Sequence, residues 1–114
     1  MVTREDFKEV EDMKGEVVLS STLENEFDGT LVKISQREDQ IKLFIQLDET
    51  EWTIVSYRIA KSLTKASHLY KLFETLKSMG LPEDTEVLVG KKIKWKRFKM
   101  AMGFDRHFPQ RIYN

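Results

Sequence analysis

Cysteine is absent from this chain, and that absence removes a disulfide framework, a thiol nucleophile and thiolate-ligated zinc together. Histidine occurs only as His68 and His107, which do not stand at metal-ligand spacing, so no metal site and no cofactor is expected. His68 falls in the first turn of a helical stretch and reads as a surface residue. The five glycines are scattered as turn residues, with no Gly-rich phosphate loop among them. No apolar run approaches the roughly 18 residues needed to cross a bilayer, so no membrane partner is expected. The first residues, MVTREDFKEVEDMKG, are charged where a signal peptide needs an apolar stretch. With the missing cysteines, this leads to the expectation of a cytoplasmic protein. Ser20-Ser21-Thr22 and Ser67-His68 lack the spacing of a nucleophile with an oriented base, and Glu38-Asp39 sits in a polar turn. No catalytic residue is assigned and no enzyme activity is expected.

An excess of charge is missing too: 19 basic residues balance 19 acidic ones. The distribution is uneven. Residues 1–60 hold 7 basic and 14 acidic side chains, and residues 61–114 hold 12 and 5. Such asymmetry can oppose an acidic face to a basic one, or reflect an unevenly decorated soluble surface. The 114 residues contain no linker, repeat or low-complexity tract, so 1–114 is read as one domain with 1–15 as an N-terminal helical extension. In that extension Thr3 and Asp6 can cap a helix over 3–14, Phe7, Val10 and Met13 give it a thin apolar stripe, and Gly15 can end it.

From Phe27 the apolar period becomes two. Strands are expected at about 27–36, 40–47 and 51–59, joined by the polar turns Gln36–Asp39 and Asp48–Thr50, as an antiparallel meander. Glu16 to Leu19 is a candidate added strand. Leu69, Leu72, Phe73, Leu76 and Met79 then repeat at three and four, predicting a helix over 65–79 with Ser67 or Thr64 at its start and Gly80 at its stop. Asp84 can cap one further turn. Strands resume at 91–100, where the alternation switches between Lys96 and Arg97 as at a bulge, and at 107–113, where Pro109 argues for an edge. Leu43, Ile45, Ile54, Leu72 and Ile93 are expected in one core.

Three strands, a helix and two strands is the order of a five-stranded Greek-key barrel, the OB-fold. The fold expected is mainly β with helices: an OB-like barrel with a helix between its third and fourth strands and an N-terminal helix. Two stretches, Ser67-His68-Leu69-Tyr70-Lys71-Leu72 and Gly90-Lys91-Lys92-Ile93, carry a resemblance to OB-fold single-stranded DNA-binding domains and to small phage and archaeal proteins of that kind. The resemblance spans about 27–114. It implies binding of a single strand, DNA before RNA, on the face of the second and third strands.

Such binding needs rings for base stacking and cations for phosphates. Phe44 lies opposite the aliphatic face of its strand, between Lys42 and Gln46, and is the first stacking candidate. Trp52 and Tyr57 follow, on opposite faces of the next strand, whereas Trp95 is assigned to the core. The cationic candidates are Lys33, Lys42 and Arg58 from the meander and Lys92, Lys94, Lys96 and Arg97 from the fourth strand. Alternating lysines also protect a strand edge from unwanted pairing. The reading is therefore a single-stranded nucleic-acid binder of little sequence preference. The alternative is a protein-interaction module using the barrel groove or a sheet edge.

Overall fold

Strict alternation in the meander, two short polar turns and one capped helix set the architecture. The computed structural model describes residues 10–59, 67–99 and 105–113. Its strands are β1 (Glu16–Leu19), β2 (Glu26–Gln36), β3 (Gln40–Gln46), β4 (Glu51–Arg58), β5 (Lys92–Phe98) and β6 (Arg106–Ile112), and α1 (His68–Ser78) lies between β4 and β5. They form one six-stranded mixed sheet in the order β1-β4-β3-β2-β5-β6. Only β1 and β4 run parallel; the other pairs are antiparallel. At the β3–β4 turn the Asp48 carboxylate accepts from the Thr50 and Glu51 N–H groups and from the Thr50 hydroxyl. The bonds from Thr50 foremost hold that carboxyl below its usual range, because they favour the ionised form.

Register decides which parity faces inward. Ile41, Leu43 and Ile45 of β3 stand opposite Tyr57, Val55 and Thr53 of β4, and all six are buried. Leu31, Ile93, Trp95 and Phe108 join them, and α1 closes the core with Leu72 and Leu76. Ser67 caps α1 by accepting from Tyr70 N–H. The helix stops where Gly80 takes φ +74°. There the Leu81 N–H returns to Leu76 O and the Gly80 N–H to Lys77 O, which satisfies two terminal carbonyls. Asp84 caps a single 3-10 turn, Thr85–Leu88.

The barrel expectation needs correction. The sheet has six strands, and no backbone ladder joins β4 to β6. A strand has only two edges: one edge of β4 is given to β3, and on the other β1 occupies Glu51 to Ile54. Beyond that stretch β4 meets β6 through side chains alone: the Tyr57 hydroxyl donates to His107 O and Arg106 Nε to Ser56 O. Other expectations shift by a residue or two. Ile54 is half-buried on the opposite face from the core, because Thr53, Val55 and Tyr57 hold the inward parity. The irregularity in β5–β6 falls between Lys94 and Trp95, not between Lys96 and Arg97. There Pro109, which has no N–H to give the ladder, comes opposite Trp95. Pro109 nonetheless lies on a strand at the end of the sheet order, as an edge proline should. Residues 3–9 of the expected 3–14 helix lie outside the described residues. Within the described part only a turn is closed, by Met13 N–H on Val10 O.

Gly15 marks how tightly the segment before β1 is held. Its φ is +82°, and a Cβ there would lie 1.9 Å from Thr50 O, whereas nothing lies within 4 Å of a Cβ at Gly80. Gly80→Ala is expected to cost about 1–2 kcal/mol, the left-handed penalty alone. Gly15→Ala is expected to cost more, since backbone must also move. Urea melts of the two variants give the comparison, and a smaller loss at Gly15 would mean that this segment is not seated against Thr50.

Candidate nucleic-acid interface

The outward face of β2–β4 gathers half of the residues expected to bind. The register sets Lys33 opposite Phe44, Phe44 opposite Ile54, Lys42 opposite Ser56 and Gln46 opposite Trp52. Arg58 continues the parity of Trp52 and Ile54. Phe44 and Trp52 stack with centroids 6.2 Å apart, and the Lys33 ammonium stands 5.4 Å from the Phe44 centroid. Two rings and three cations therefore share a surface that faces away from the core.

The rings are nevertheless covered. Phe44 is 1% exposed and Trp52 is 7% exposed, so neither presents a bare stacking surface here. Part of the cover is visible. Trp52 Nε1 donates to Gly15 O. Gln46 Oε1 accepts from Lys14 N–H while Gln46 Nε2 donates to Lys14 O, so this side chain pairs with the 14th residue as a neighbouring strand would. The Asp12 carboxylate lies 4.0 Å from the Lys33 ammonium. Sequence reading missed Asp12 and Gln46, because their roles exist only once residues 12–15 fold across β3 and β4.

The remaining candidates separate. Tyr57 is a core residue, stacked on Phe108 at 4.9 Å. Burial pushes its hydroxyl well above the ordinary tyrosine range, with Arg106 opposing. It is therefore withdrawn as a stacking platform. Lys92, Lys94 and Lys96 alternate outward on β5, but opposite them on β2 stand Thr30, Asp28 and Glu26. Lys94 lies 4.0 Å from Glu26. Opposite charges across antiparallel strands each contribute about 0.2–1 kcal/mol to register, so Lys94 and Lys96 are matched by acids while Lys92 faces Thr30. Arg97 has the inward parity. Its Nη2 donates to Ser20 O, Ser21 O and Leu23 O, which ties the connection before β2 to the end of β5. His68 is buried rather than on the surface, and its Nδ1 accepts the Arg58 N–H. Trp95 is in the core as expected, donating to Gly29 O.

At the gap between β4 and β6, His107 Nε2 contacts Glu24 O at 2.8 Å. Burial foremost, assisted by Arg97, lowers its pKa from 6.5, while the Glu24 bond opposes the shift. Among the described residues no group of three or more acidic or histidine side chains is placed to hold a metal ion. No helix of the described residues is long and apolar enough to cross a membrane. No family model, curated protein or solved structure matches the chain.

Phe44→Ala is expected to lose about 3–5 kcal/mol of stability, as for a buried aromatic; a thermal melt within a degree of wild type would show Phe44 to be uncovered in solution. His107 predicts a pH dependence of defined sign. Its folded pKa is lowered, so its contribution is complete above the unfolded value of about 6.5 and is lost as pH falls through the folded value. Melting should drop between pH 7.5 and pH 5 by more in wild type than in His107→Gln. Equal slopes would remove His107 as the cause.

Proposed function

We propose that this protein binds single-stranded nucleic acid, DNA before RNA, across the outward face of β2–β4. The observation that carries the reading is the Phe44–Trp52 pair with Lys33 beside it, on the outer surface of the sheet rather than in the core. A stacked aromatic pair flanked by cations is what sequence-tolerant binding of a single strand requires. The chain order supports the same reading. From β2 onward, three meander strands, α1 and a final hairpin follow one another as in an OB-like barrel, with β1 added at the edge of β4. Lys42 and Arg58 would meet phosphates, and bases would reach the rings as residues 12–15 move aside. Phosphates then replace the Asp12 carboxylate at Lys33. The lysines of β5, matched by Asp28 and Glu26, have a lesser part.

A second reading rests on a different observation. Val17 is 52% exposed and Leu19 is 69% exposed, on a strand that ends the sheet. Another chain could add a strand there.

Fluorescence anisotropy with labelled single strands, titrated across salt, tests the first reading. Lys42→Gln with Arg58→Gln should weaken binding alike for all sequences and reduce the salt slope by about two. Asp12→Asn should tighten binding. If wild type shows no salt-dependent binding at low ionic strength, the nucleic-acid reading is lost and strand addition at β1 takes its place.

A further inference from the structure

A second cationic surface lies away from the aromatic pair, where the turn after β1 passes the ends of β5 and β6. Ser20, Ser21, Arg97, Asp105, Arg106 and His107 line a cavity of about 310 Å³. We propose that this cavity is a phosphate-binding subsite, in which the guanidinium groups of Arg97 and Arg106 and the hydroxyls of Ser20 and Ser21 surround one phosphate group.

The guanidiniums are neighbours by register, since Arg97 stands opposite His107 and Phe98 opposite Arg106. Both are held by carbonyl oxygens. The three acceptors of Arg97 converge on Nη2. Arg106 gives Nε to Ser56 O at 2.9 Å and Nη1 to Asp105 O at 3.0 Å. A guanidinium has five N–H donors in a fixed fork, so anchoring part of it to the backbone orients the rest. Carbonyl oxygens carry no net charge, and they leave the positive charge of Arg97 unneutralised. Its field reaches His107, which it helps to keep unprotonated.

Among the described residues, the charged groups lining the cavity are Arg97, Arg106, Asp105 and His107. Asp105 is exposed at the rim. Two guanidiniums against one carboxylate among these groups favour an anionic ligand, with the pKa of His107 lowered. The donor set then selects the anion. Forks from two strands and hydroxyls from a third segment approach from several directions, which suits the oxygens of a tetrahedral phosphate better than a planar carboxylate. The volume sits at the lower end of small-ligand pockets, roughly 300–1,000 Å³, leaving room for the group that bears the phosphate. This subsite does not depend on the stacking face, and either can fail without the other.

The test is an NMR titration of the full chain with inorganic phosphate at constant ionic strength in chloride. Saturable shifts are expected at His107 and at the Nε–H signals of Arg97 and Arg106, and His107 should titrate at higher pH when phosphate is bound. Arg106→Gln should weaken phosphate binding about tenfold, the loss expected for a hydrogen bond to a charged group. Ser20→Ala with Ser21→Ala, which leaves both arginine anchors in place, should weaken it as well and covers the case in which Arg106→Gln does not fold. Dinucleotides with and without a 5′-phosphate separate the sources: tighter binding of the phosphorylated form assigns the subsite to a terminal monoester, and equal binding assigns it to an internal diester. The proposal is overturned if no saturable shift occurs up to about 10 mM phosphate, tenfold above a weak millimolar site. It is equally overturned if the shifts fall on the β5 lysines instead.

Discussion

One edge of β4 governs this structure. A strand offers a single row of donors and acceptors on each side, and here β1 and β6 both approach the same row. The first half goes to β1 in parallel. The second half meets β6 through the Tyr57 hydroxyl, the Tyr57 ring stacked on Phe108 and the Arg106 guanidinium. From that division follow the open sheet, the position of the Arg97 anchor, the burial of His107 and the cavity beside it. Side chains perform at this gap the joining that backbone ladders perform elsewhere. Each one therefore sits where its polar end can reach a carbonyl, and the apolar body of Tyr57 fills the core behind it.

Much of the fold was legible because local chemistry and global packing agreed there. The meander strands, Ser67 at the start of α1, Gly80 at its end and Asp84 before the short turn each follow from a local rule with a physical cause. Legibility failed where both faces of a strand are apolar. In β4, Trp52 and Ile54 compete with Val55 and Tyr57, and no periodicity says which pair turns inward. Register with β3 and the bond from Tyr57 to His107 decide it, and both are long-range. The candidate site was legible as a set of residue types, less so as a surface. Phe44 was correctly placed opposite the aliphatic face of β3. That residues 12–15 lie over that face, through Gln46, Trp52 and Lys33, depends on contacts spanning more than 20 positions. Nothing local signals them.

The zero net charge acquires a structural meaning. On the β2–β5 surface, acids of the N-terminal half stand opposite bases of the C-terminal half, with Asp28 across from Lys94 and Glu26 across from Lys96. Tyr113 donates its hydroxyl to Asp28 at 2.7 Å, which raises its own pKa and adds to the same polar row. The asymmetry between the halves of the sequence is thus partly a strand-pairing code. The two surfaces proposed above to bind anions are the outward face of β2–β4 and the cavity beside His107.

The anchors at the gap also bear on how the chain becomes ordered. The hydrogen bond from Arg97 to Leu23 spans 74 positions, and the contact between His107 and Glu24 spans 83. The β2–β3–β4 meander closes through turns of a few residues, and α1 forms from neighbours in sequence. Joining distant segments costs chain entropy that local hairpins do not incur. Until β1 and β6 arrive, β4 has a bare edge able to pair with other chains.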